Sequence, residues 1–143
     1  MSKLIESRAE FQQLADVRLQ EAKLLLDAGM WNGAYYLAGY AVELALKACI
    51  IRMLLSTDEF PHKEFSRNCY THSLDDLIKV ARLANDRDIA MNADVLLEAN
   101  WTFIKDWTEQ KRYHMITQIE AESLYLAIAD SNHGVLPWVK TCW

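Results

Sequence analysis

The stretch Gly29–Ile50, GMWNGAYYLAGYAVELALKACI, decides how this chain folds. From Trp31 onward, Ala34, Leu37, Ala38, Ala41, Val42, Ala45, Ala48 and Cys49 recur at helical spacing and make a face of mostly small residues. Alanines and Gly39 let another helix approach closely. Leu46, Ile50 and Leu54 lie elsewhere on the circumference, so the apolar surface runs nearly all round and predicts a central, buried helix over Trp31–Leu55. The uncharged part, Ala28–Val42, is shorter than the roughly 20 residues that cross hydrocarbon. Glu43, Lys47 and Arg52 interrupt the apolar run beyond it, so no membrane span is expected.

On the N-terminal side, Leu4, Phe11, Leu14, Ala15, Ala22, Leu25 and Leu26 share one helical face and predict a second long helix from about Ser2 to Ala28, stopped by Gly29. Arg18 falls within that stripe, where it needs a carboxylate or backbone partner, or snorkels outward. The short link makes the two long helices antiparallel neighbours.

On the C-terminal side, residues 56–71 hold Pro61, five charged side chains and no helical stripe, which predicts the longest loop. Ser73, with Asp76 at the reciprocal position, caps a third helix buried through Leu74, Leu77, Ile78, Ala81 and Leu83, ending near residues 84–86. A fourth is expected over Asp88–Trp101. Residues 102–116 read partly as a connection held down by Trp107 and Tyr113. Thr117 and Glu120 form a capping-box pair opening the last helix, with a break or kink near Asn132, Gly134 and Pro137. The expected fold is all-α: one domain over residues 1–143, a single antiparallel bundle of about five helices with two long N-terminal ones.

Composition agrees with helices, because a chain of 143 residues that is 52% hydrophobic with four Gly and two Pro has little material for turns. The net charge of -5 provides no global basic footprint for nucleic acid, leaving only local pockets. Three cysteines, Cys49, Cys69 and Cys142, in no C-x-x-C spacing fit a reduced, cytoplasmic setting. The charged N-terminus lacks an apolar signal-like core. His62, His114 and His133 have no metal-ligand spacing and no glycine-rich phosphate loop exists, so neither metal nor cofactor is expected.

Three segments taken together, Gly29–Ile50, Thr71–Leu74 (THSL) and Arg112–Tyr113 (RY), resemble the HEPN domain family. The likeness rests on Tyr40, Ala41, Glu43, Leu46, Lys47 and Ala48 in order on the second helix, a histidine opening the next, and an R-Y pair before the last. It implies an antiparallel helical bundle, usually homodimeric, that works with a minimal nucleotidyltransferase in toxin–antitoxin-like pairs or acts as a toxin ribonuclease. Active members of that family carry Arg-x4-6-His near the start of the last helix, histidine moving protons and arginine stabilising phosphate charge while the 2'-hydroxyl attacks. Here the spacing is broken: His114 follows Arg112 after one residue, and His133 lies far beyond. Arg67 and His72 match formally, but ahead of the third helix.

The candidate catalytic residues are therefore His72, Arg112 and His114. Tyr36, Tyr40, Glu43, Lys47, Arg112 and Tyr113 are the candidate ligand-binding or groove residues. Glu43 and Lys47, one turn apart, are either an i,i+4 ion pair or the polar spot of a groove beside Tyr36 and Tyr40. His72 either supports the helix start or serves as general acid or base. Arg112 with Tyr113 is either a structural pair or an anion site near a helix N-terminus. Three functions stay open: an accessory module binding nucleotide or RNA, a metal-independent ribonuclease with a non-standard Arg/His arrangement, and a homodimeric interaction protein.

Overall fold

Ser7 starts the first helix. Its hydroxyl accepts from the Glu10 amide while the Glu10 carboxylate accepts from the Ser7 amide, a full capping box. In the computed structural model, which describes residues 1–143, α1 therefore runs Arg8–Asp27 instead of beginning near Ser2, and Leu4 lies outside it, exposed. Gly29, at φ +74°, ends α1: its amide bonds the Leu26 carbonyl, and the Met30 amide reaches back to Leu25. This left-handed residue reverses the chain. It is followed by α2, Trp31–Thr57, which packs along α1 and also touches the later helices Leu74–Val80, Gln118–Ala129 and Val135–Lys140.

The core is one cluster centred on α2, in which Val42, Leu44, Ala45 and Leu46 are completely or almost completely shielded. Each buried leucine of this kind contributes roughly 1.5–3 kcal/mol by leaving water. Close approach is decided at Gly39, where a Cβ would overlap the indole of buried Trp107.

The remaining elements are shorter and more numerous than about five helices. The expected loop contains α3, Lys63–Asn68. Ser73 caps α4, Leu74–Val80, by accepting from the Asp76 amide, while its own amide donates to the Thr71 hydroxyl, not to Asp76. The helix stops before residues 84–86 because Arg82 takes a left-handed φ of 59° and the Leu83 amide bonds back to Ile78.

The predicted fourth helix is two, α5 over Ala84–Ala93 and α6 over Val95–Ile104, because the Asp94 carboxylate accepts from the amides of Leu96 and Leu97 and restarts the chain. A 3-10 turn, Glu109–Tyr113, precedes α7, Gln118–Ala129, which has the expected Thr117/Glu120 capping box. After the expected break, α8 runs Val135–Lys140, with Pro137 in its first turn, where a missing amide is tolerated. Trp107 anchors the connection before α7, as predicted, whereas Tyr113 is 74% exposed and anchors nothing. No helix is long and apolar enough to cross a membrane.

Candidate functional site

One side of α2 carries Tyr36, Tyr40, Glu43 and Lys47, spaced four, three and four residues apart and hence on one face. The rings of Tyr36 and Tyr40 are parallel within 9° with centroids 6.1 Å apart, and Tyr36 leans on Trp107 at 5.9 Å. Gly39 gives Trp107 its space, so the small-residue side of α2 supports the aromatic side. Both tyrosines remain half-buried. Burial first, and the Glu43 carboxylate after it, push the Tyr40 phenol above its usual range.

Glu43 is the one charged residue in the core, with 1% of its surface exposed. Its two oxygens have separate partners: Oε2 accepts from Lys47 Nζ at 3.2 Å, and Oε1 lies 2.9 Å from His72 Nδ1. With the proton on Nδ1, the imidazole donates to the carboxylate and leaves Nε2 without an internal partner. The His72 side chain is 48% exposed, so this buried acid orients a ring that meets solvent. The α4 cap places it, since His72 immediately precedes Ser73. A carboxylate-oriented imidazole can accept or donate a hydrogen bond, or move a proton.

At the N-terminal end of the same face stands Arg112, its guanidinium 5.1 Å from the Tyr113 ring centroid. The hydroxyl of Tyr113, and behind it that of Tyr36, raises the arginine's already high pKa. Asn32 positions this end: its side chain donates to the His114 carbonyl and accepts from the Ile116 amide at 3.1 Å, tying the 3-10 turn to the start of α2. His114 is exposed, and its backbone, not its imidazole, takes part in that clamp.

Of the three catalytic candidates, only His72 meets a buried acid. Arg112 neighbours Tyr36 and His72 neighbours Glu43, two helical turns or about 10 Å further along the axis. Arg18 finds the partner its position required in Glu21, 2.7 Å away. Sequence reading overlooked Asn32 and Trp107 as the groups that build this face; an asparagine beside a glycine-aromatic turn is the only hint of the first. No group of three or more His, Cys, Asp or Glu is arranged to hold a metal ion.

The fold and this face together define a class. The profile of the HEPN domain matches residues 10–125, from α1 into α7, and the chain belongs to the HEPN domain family. The match includes Tyr36, Glu43, His72 and Arg112 and ends before α8. No curated protein and no solved structure matches the chain.

Proposed function

We propose that this HEPN chain is a binding module that takes a nucleotide or a short RNA segment along the α2 face, and that it works as a homodimer beside a minimal nucleotidyltransferase in a toxin–antitoxin-like pair. The observation that carries the ligand reading is the half-buried Tyr36–Tyr40 stack lying between Arg112 at one end and Lys47 with His72 at the other. Ring edges offer a base an apolar contact, and a guanidinium offers phosphate a bidentate partner. With a net charge of -5, affinity must come from these local groups and not from a general positive field. The homodimer and the nucleotidyltransferase rest on family membership alone.

A second reading, a metal-independent ribonuclease, is favoured by the imidazole seated on Glu43. His72 and Arg112 stand at levels of α2 about 10 Å apart. One phosphate would then meet both groups only if a second copy supplied one of them.

The two readings separate when labelled mixed-sequence RNA is incubated in EDTA with the wild type, His72→Ala, His114→Ala and Arg112→Ala, scoring binding and cleavage on the same samples. Saturable binding without cleavage, weakened at least several-fold by Arg112→Ala and unchanged by His114→Ala, is the expected result. Cleavage lost in a folded His72→Ala variant would establish the ribonuclease. Neither binding nor cleavage would sink both.

A further inference from the structure

A groove of about 730 Å³ lies where α6 meets the start of α7, away from the Glu43–His72 pair. The inner side of α6 is spent on the core through Leu97, Trp101 and Ile104. Its outer side repeats the apolar pattern with Val95, Ala99 and Phe103, one turn apart, and Val95 and Phe103 are 72% and 48% exposed. Nothing in the fold covers this stripe. It lines the groove together with Tyr35 of α2, while Glu98, Asp106 and Glu120 stand around it and Lys111 is the only cation among the lining residues. The acids converge there: after burial, the carboxylates of Glu120 and Asp106 are what raise the Tyr35 phenol above its usual range.

That combination selects its occupant. A second copy docked on this groove about a twofold axis would bring two acidic rims together with only one Lys111 from each copy to offset three carboxylates, a juxtaposition that costs affinity. Phosphates of nucleic acid or of an anionic membrane meet the same repulsion. An apolar stripe two turns long inside an acidic rim instead complements a helix with leucine-like residues on one side and Arg or Lys beside them. We propose that the α6 groove docks a cationic amphipathic helix of a partner protein, its apolar side on Val95 and Phe103 and its basic residues against Glu98, Asp106 and Glu120.

The experiment titrates the full chain into a fluorescent helical peptide bearing leucine at i, i+3, i+4 and i+7 with arginines alongside, at low and at high salt. The same leucine pattern flanked by glutamates is the counter-probe. Expected are saturable binding of the arginine peptide, weakening about tenfold or more in Phe103→Asp, weakening in Glu98→Lys and at high salt, and no binding of the glutamate peptide. Circular dichroism confirms that both surface variants stay folded. No saturable binding of the arginine peptide, equal binding of the two peptides, or indifference to both variants overturns the proposal. So does conversion of a self-associated wild type to monomer by Phe103→Asp, which would assign the groove to a second copy.

Discussion

The molecule contains two carboxylate–imidazole pairs of nearly equal length and opposite character. Glu43 and His72 meet at 2.9 Å, and Asp94 and His133 at 2.8 Å. In the first the acid is sealed in the core, 2% exposed at its side chain, and shared with Lys47; in the second it is an N-cap, 25% exposed, already bonded to the amides of Leu96 and Leu97. Asp94 and His133 hold backbone together: the imidazole reaches the α6 cap while the His133 carbonyl accepts from Asn100. The Glu43 carboxylate bonds no backbone, and what it organises is a ring that faces solvent. Equal distances therefore conceal different jobs, a fastening in one case and an oriented surface group in the other.

The largest test of that contrast removes the buried acid. Glu43→Ala strands Lys47 in a largely shielded position, and breaking a buried pair in this way should cost about 3 kcal/mol in urea denaturation. Replacing both partners by apolar groups, Glu43→Leu with Lys47→Met, should recover much of the loss while abolishing ligand binding at the α2 face. A double variant that is stable and still binds would show that the pair is structural only.

A somewhat smaller effect probes what the first pair stands on. Gly39→Ala sets a Cβ against the Trp107 indole, with backbone on one side and a fully buried ring on the other, so overpacking should cost about 2 kcal/mol. Because Trp107 also supports Tyr36, the Tyr36–Tyr40 stack should shift, visible as altered tryptophan fluorescence. An unchanged midpoint and spectrum would mean that the ring relocates freely.

What the sequence disclosed tracks the range of the interactions involved. The α2 face was legible because four residues on one helix obey one period, and the Thr117/Glu120 box because cap and partner lie three residues apart. Ser7 and Glu10 have that same spacing, and the apolar Leu4 drew the expected boundary past them. The bonds of Glu43 to His72, 29 residues apart, and of Asp94 to His133, 39 apart, come from packing and have no local signature. Asp94 was a missed cap for a further reason: the apolar positions on both sides of it nearly keep helical phase, so periodicity alone joined α5 to α6.

The smallest expected effect sharpens the comparison from the other side, through pH. The Asp94 bond raises the His133 pKa above its ordinary 6.5, and His133 in turn lowers that of Asp94 below its ordinary 3.8, beyond what its backbone bonds do. For a histidine raised in the folded state, the stabilisation is fully present below the unfolded pKa and is lost as pH climbs through the higher folded value. For an aspartate lowered in the folded state, it is present above the unfolded pKa and lost as pH falls through the folded one. The fastening is thus complete between roughly pH 4 and 6.5 and loosens as pH rises above that window. Thermal midpoints of the wild type should fall modestly over that upper interval, and those of Asp94→Asn, which keeps a side-chain oxygen for the cap but removes the charge, should fall less. Parallel profiles for the two proteins would show that the Asp94–His133 bond holds no charge-dependent share of the stability, leaving the cap to Leu96 and Leu97 as all that Asp94 contributes.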